Sequence, residues 1–299
     1  MKLNIKHYIE FIIITILGRL LRILPLRMAL SLGWLIALTS HYLFCFRRKE
    51  AKKRIRQVFG ENITEAKVND IAWASWRNMC LNVVEILRFN KLTKNKIPAK
   101  DNIKDFMYTL ENTLGNSQNG VVLATIHMGN WELAGIAIDL NNLPIFSIAR
   151  RQKNPLTDGY INHMRSSFNM KVLLNDKNIY REIIRRLKKN NIFAILPDVR
   201  NPNSSQSISF LGFNANLGSG AASFARKCNC TIQPMITYRV GLSQHSFKLL
   251  KPIKPELEKD KKEDNKRMMN DLMAQFTEVI KVHPEQYFWY NKRWVLDPI

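Results

Sequence analysis

The run Thr125-Ile126-His127-Met128-Gly129-Asn130-Trp131-Glu132 holds the residues best suited to chemistry. An imidazole can take a proton from an alcohol near neutral pH and return it to a leaving group. A carboxylate beside it orients the ring and stabilises its protonated form. Glu132 stands five positions after His127, a spacing that points the two side chains apart in an unbroken helix. A turn at Gly129-Asn130, with Asn130 as a helix N-cap, brings Glu132 back towards His127 instead. No G-x-S-x-G elbow accompanies the pair, so direct transfer to an acceptor hydroxyl suits it better than a covalent acyl-enzyme. No second histidine sits at ligand spacing, so a metal centre is not expected. Taken alone, a histidine near a strand end is more often a satisfied core residue, and His-x4-Glu is a weak pattern.

The surrounding elements give the pair its setting. Residues 121–126 are an apolar run of the kind buried in a parallel sheet, and His127 leaves its end, where α/β folds handle ligands. The pattern then alternates. Strands are expected at 145–149, 171–174, 192–196, 231–239 and 247–253, and helices at 132–140, 154–168, 179–189, 219–227 and 264–282. A further helix is expected over 62–89, followed by a polar connector at 91–100, and 201–206 has the chemistry of a mobile active-site loop. This order predicts one α/β domain with a central mixed sheet flanked by helices.

The 299 residues include 46 Lys plus Arg against 24 Asp plus Glu, a net charge of +22. Such an excess attracts anionic partners: nucleic acid, anionic lipid or an acidic carrier protein. A nucleic-acid binder interleaves aromatics with its basic patches, and the runs at 185–189 and 259–262 do not. Nucleic acid is therefore not an expected partner. Cys228-x-Cys230 has no matching pair nearby, which suits reduced thiols rather than zinc. Residues 28–46 carry no formal charge and are followed by Arg47-Arg48-Lys49. At ~1.5 Å per residue this stretch nearly covers a ~30 Å hydrocarbon core, with its basic flank on the cytoplasmic side. Arg19, Arg22 and Arg27 suit a helix lying in the interface, among lipid phosphates. A transmembrane helix and an interfacial one both fit. Residues 1–46 are expected to be the membrane anchor, contacting anionic lipid, and 47–299 the catalytic domain.

Several ordered segments go further: RLLRILPLRMALSLGWL near the N-terminus, HMGNWE, ARRQKNP with Arg165 after it, ILPD at 195–198, FLGFNANLGSGAASFAR at 210–226, and PEQYFWYNKRW at 284–294. Together they resemble the bacterial lipid A biosynthesis acyltransferases, the late acyltransferases of the lysophospholipid acyltransferase superfamily. The resemblance runs nearly end to end. It implies a glycerolphosphate-acyltransferase-like fold at the cytoplasmic face of the cell inner membrane. It also implies transfer of a fatty acyl chain from acyl carrier protein, less often coenzyme A, with no cofactor beyond the thioester donor. The acceptor would be a hydroxyl on a phosphorylated glucosamine disaccharide, a lipid A precursor of the Kdo-lipid IVA type in lipopolysaccharide biosynthesis. Carried over by position, His127 is the general base and Glu132 its partner. Arg150 and Arg165 stand near the pair and Asp198 is the acidic residue after a strand. Asn130 and Arg293 complete the expected substrate contacts.

Guanidinium groups suit phosphates and developing oxyanions in any case. A glycerophospholipid acceptor would go with a Glu-Gly-Thr-Arg motif, where this chain has Pro197-Asp198-Val199-Arg200. Another glycolipid acceptor, and a non-enzymatic basic protein, are the remaining alternatives. The chain departs from the family pattern at Leu217, where a small hydroxyl residue is common, and at Asn291-Lys292-Arg293.

Overall fold

The computed structural model describes residues 3–100, 103–149, 152–165, 168, 170–174, 178–201 and 207–296, without the side chains at 162–165 and 174. Its centre is a mixed sheet of β1 (Val121–Ala124), β2 (Ile145–Ala149), β3 (Lys171–Leu174), β4 (Ile192–Ile195), β7 (Thr231–Val240) and β8 (Gln244–Leu249). The order across the sheet is β3-β2-β4-β1-β7-β8, parallel except for the β7–β8 pair. All four residues of β1 are buried, because helices cover both faces of the sheet. On one face, α5 (Ile103–Gly115) and α6 (Trp131–Leu140) set Leu110, Leu133 and Ile136 against Val121 and Leu123. On the other, α9 (Gly220–Cys228) and α10 (Lys261–Val282) set Phe224, Leu272 and Phe276 against Val122 and Phe193. The hairpin of β5 (Ser207–Phe210) and β6 (Phe213–Asn216) lies on α10, where Asn270 and Thr277 accept backbone N–H groups from Ser209 and Leu211.

The expected strands and helices are present with ends shifted by a few residues. The long helix, α4, spans Glu65–Ile86, and the connector after it contains two short 3-10 turns. The last strand begins earlier than expected, at Gln244, and Ile253 meets Ile232 only as a bridge. Three elements were not foreseen: α3 (Arg48–Phe59), α5 and the β5–β6 hairpin. Their signals are local and were readable. Phe106, Leu110 and Leu114 are spaced by four, and Ser207-Ile208-Ser209-Phe210 alternates polar with apolar. Of the expected loop at 201–206, residues 202–206 lie outside the described residues.

The N-terminal part is divided rather than continuous. Helix α1 (Ile5–Ile23) is followed by α2 (Leu26–Leu38), a π-helical turn at Thr39–Leu43, and α3. Among the described residues no single helix is long and apolar enough to cross a membrane, and the uncharged stretch bends by 86° into α3. One side of α1 and α2 belongs to the protein: Leu21, Ala29 and Leu30 are buried against Leu81, Val84 and Leu87 of α4 and its end. Gly33 permits this approach, since a Cβ there would meet Val84 Cγ2 at 2.5 Å. Arg22, expected among lipid phosphates, instead donates to Leu87 O at 2.9 Å and to Tyr160 of α7 (Pro155–Arg165) at 3.1 Å. Arg54, from the basic stretch, is likewise buried and donates to Trp289 O and Asn291 O. The outward side is apolar: Ile9, Ile12, Ile13, Ile16, Leu35 and Ile36 are exposed, as are Leu43 and Phe44.

Candidate active site

The sheet register brings two distant residues together. Ala124, the last residue of β1, lies opposite Ile195, the last of β4. Three residues beyond each stand His127 and Asp198. The Asp198 carboxylate accepts the His127 backbone N–H at 2.9 Å and bonds Nδ1 of the ring at 2.8 Å. A carboxylate only accepts, so Nδ1 carries the hydrogen and Nε2 is left with a lone pair. Asp198 is buried, whereas 21% of the His127 side chain is exposed, so the ring is accessible from outside. Burial disfavours the charged imidazolium, but the Asp198 charge and hydrogen bond outweigh it, with Glu132 adding to them and Arg293 opposing. The net result raises the His127 pKa above its ordinary value of 6.5. Trp131 meets the ring edge-on at 4.9 Å between centroids. The buried phenol of Tyr287 lies beside Asp198, and burial followed by that negative charge raises its pKa well above the usual value.

The turn carrying His127 is clamped by the C-terminal segment. Gly129 N–H donates to Gln286 O at 3.0 Å, and Phe288 N–H donates to His127 O at 2.8 Å. That segment is itself held by α4, through Ser75 to Tyr287 O and Asn78 to Glu285 O. Gly129 has φ +55°, and a Cβ there would stand 2.1 Å from Thr237 O of β7. The turn thus needs glycine twice over, for its backbone conformation and for the close approach.

Behind the turn lies a buried polar cluster that the sequence did not disclose. Glu85 forms a two-pronged ion pair with Arg239, both bonds 2.7 Å, and meets His245 Nε2 at 3.1 Å. Arg239 also donates to Asn82, whose amide donates to Gly129 O at 2.6 Å. Burial alone would raise the Glu85 pKa, but His245 and Arg239 together pull it down to about 2. Asn130 belongs to this cluster. Its Oδ1 caps α6 by accepting Leu133 N–H at 3.0 Å, and its Nδ2 donates to Glu85 at 2.7 Å. Asn130 has 1% of its surface exposed and both ends of its amide committed, so in this structure it holds the scaffold of the turn. The expectation that Asn130 is the N-cap of this helix is borne out.

The other expected residues fall in different places. Glu132, the expected orienting partner of His127, lies in the first turn of α6 and acts on the ring through its charge; the Nδ1 bond belongs to Asp198. Asp198, expected among the substrate contacts, thus stands hydrogen-bonded to the imidazole, and Glu132 keeps a charge interaction with the same ring. Glu132 also borders an apolar cavity of about 270 Å³ walled by Ile14, Ile86, Leu87, Ile136 and Ile161. Arg293 is half-buried, donates to Arg200 O at 2.8 Å, and brings its positive charge close to His127. Arg150 lies outside the described residues. Arg165 ends α7, with its side chain outside them. Among the described residues no group of three or more His, Cys, Asp or Glu is placed to hold a metal ion.

Sequence reasoning missed Tyr287, Glu85, Arg239 and His245. Tyr287 stands within the PEQYFWYNKRW motif with no mark of its own role, and the other three carry no local pattern, because Glu85 is scores of residues from both of its partners. Leu217, a departure from the family pattern, is buried in the main core.

A model of the family described as bacterial lipid A biosynthesis acyltransferase matches residues 1–295. No curated protein matches the chain. A family match over almost the whole length, on a chain whose accessible histidine is held by a buried aspartate, identifies it: the protein belongs to the bacterial lipid A biosynthesis acyltransferases and is an acyltransferase.

Proposed function

We propose that the protein transfers a fatty acyl chain from acyl carrier protein to a hydroxyl of a Kdo-lipid IVA-type precursor. The observation that carries this is the His127–Asp198 bond, which leaves Nε2 as a base on the accessible side of the ring. In this reading Nε2 takes the proton of the acceptor hydroxyl as its oxygen attacks the thioester carbon. The tetrahedral intermediate then expels the carrier thiolate, and the proton passes from His127 to the departing sulfur. One C–S bond breaks and one C–O bond forms. Asp198 stabilises the imidazolium between the two transfers, and Glu132 adds to that stabilisation through its charge. Arg293 supplies positive charge beside the developing oxyanion. Arg150 and Arg165 are proposed as contacts for the acceptor's phosphates, and the apolar cavity beside Glu132 offers room for acyl chain.

The outward apolar face of α1 and α2, next to the basic helix α3, supports a place at an anionic membrane surface, the cytoplasmic leaflet of the cell inner membrane. The net charge of +22 suits docking of an acidic carrier. The test is transfer of labelled acyl chain from acyl carrier protein to a tetra-acylated disaccharide phosphate, with lysophosphatidic acid as the control acceptor. Label on the disaccharide, lost in His127→Ala, is the expected result. Label on the lysophospholipid alone would overturn the acceptor. Undiminished transfer by His127→Ala would remove the mechanism.

A further inference from the structure

A second cavity, of about 340 Å³, opens between α2, α4 and the end of β7, lined by Trp34, Arg77, Asn78, Arg239, Leu242 and Gln286. It is separate from the histidine. His127 is not among its lining residues, whereas Gln286 and Asn78, which line it, hold the catalytic turn and the segment that clamps it. Its polar groups are incompletely satisfied. Among the described residues, Arg77 donates no hydrogen bond and forms no ion pair. Burial pulls its guanidinium pKa down from the ordinary value, the Arg239 charge adds to this, and Glu285 opposes it. Arg239 uses its other nitrogens on Glu85, Asn82 and Leu242 O, yet among the described residues its Nε–H is buried without a partner. Asn78 Oδ1 is buried without a partner as well.

Buried donors and a half-buried guanidinium left open are unfavourable unless a ligand completes them. The set of groups specifies that ligand. A guanidinium fork, a further N–H and a lone acceptor match a phosphate monoester, which offers oxygens to the first two and, when singly protonated, an O–H to the third. The rim has a different character. Trp34 and Leu242 are exposed at the cavity, and the neighbouring Leu35 and Ile36 continue the apolar face of α2. A ligand seated here has an anionic head inside and apolar material outside.

We propose that this cavity binds the phosphate group of an amphiphile, with Arg77 and the Arg239 Nε–H holding its oxygens and Trp34 and Leu242 its apolar part. The site does not depend on which donor or acceptor the catalytic centre uses. It gives the enzyme a second, non-reacting grip on a phosphate-bearing lipid beside the buried cluster that holds the catalytic turn.

The test uses the full-length chain in a phosphate-free maltoside detergent, titrated calorimetrically with dihexanoyl phosphatidic acid, dihexanoylglycerol and inorganic phosphate. Phosphatidic acid should bind saturably, with affinity falling about tenfold or more in Arg77→Gln and less in Arg77→Lys. It should raise the melting temperature of the wild type and leave that of Arg77→Gln unmoved. Without ligand, Arg77→Gln should melt no lower than the wild type, because it removes a desolvated charge that has no hydrogen-bonded partner and whose burial and repulsion by Arg239 outweigh the Glu285 attraction. Equal affinity of the wild type and Arg77→Gln would overturn the proposal, as would dihexanoylglycerol binding as well as phosphatidic acid. Inorganic phosphate binding as tightly as phosphatidic acid would overturn the amphiphile and leave a free-anion site.

Discussion

Asp198 grips His127 at two points, one oxygen on the backbone N–H at 2.9 Å and the other on ring Nδ1 at 2.8 Å. Backbone and ring are thereby fixed by one buried carboxylate, which leaves the imidazole little freedom to turn. The grip follows from the register of β1 on β4, since each residue stands three positions past a paired strand end.

A general base must be neutral to act, and His127 has a raised pKa. We expect kcat/KM to rise with pH through a limb lying above 6.5, the ordinary histidine value. Asp198→Asn should move that limb to lower pH and cut the rate by ~10²–10⁴. A pH–rate profile of both proteins checks it; an unmoved limb would show that another group titrates. The raised pKa also has a stability consequence. The contribution of His127 to folding is full below pH 6.5 and disappears as pH rises through its folded-state value.

Glu132→Gln keeps the shape of the side chain and removes its charge. If Glu132 acts on the imidazolium electrostatically, this variant should lower the same limb by less than Asp198→Asn does, with a loss in kcat greater than any change in KM. A limb displaced further than in Asp198→Asn would restore Glu132 as the principal partner.

Glu85 has its pKa lowered to about 2 by His245 and Arg239, acting against burial. A depressed carboxylate contributes stability that is present above its unfolded value, near 4.5, and is lost as pH falls towards 2. Acid unfolding followed by circular dichroism should therefore steepen across that window. Glu85→Ala strands Arg239 inside the protein and should destabilise it by ~3–5 kcal/mol in chemical denaturation. A loss under about 1 kcal/mol would show the cluster to be dispensable.

Gly129→Ala puts a Cβ against the Thr237 carbonyl at a positive φ. Neither atom is on a flexible side chain, so the turn must move. We expect a loss of ~1–3 kcal/mol in stability, with transfer reduced beyond what the unfolded fraction explains. Wild-type turnover at wild-type stability would show that the turn has another route.

Deleting residues 1–46 would strip Leu21, Ala29 and Leu30 from Leu81, Val84 and Leu87 and confuse unfolding with release from lipid. Ile12→Glu with Ile16→Glu is the cleaner experiment, since both side chains are exposed and lie one turn apart on α1. In flotation assays with anionic vesicles the double variant should stay at the bottom of the gradient, with a circular dichroism spectrum like that of the wild type. Continued flotation would place the contact on another surface.

The α/β order, the apolar strand three residues before His127 and the N-cap at Asn130 were legible from sequence because each depends on neighbours within a few residues. So was the family, through motifs spread along nearly the whole chain. The hydrogen bond between His127 and Asp198 was not. Glu132 was the nearer candidate along the chain, while Asp198 is 71 residues away and meets the ring only through strand register. Glu85, Arg239 and His245 come from a helix and two strands far apart in sequence, so no local spacing marks them. The uncharged stretch at 28–46 had the composition of a span, yet it folds as a bent structure with one face held by α4, because helix–helix packing offered those residues a partner. Composition and spacing determined which elements form and what chemistry they carry. The tertiary structure alone decided which carboxylate bonds the His127 ring, because hydrogen bonds select by distance in space and not by separation along the chain.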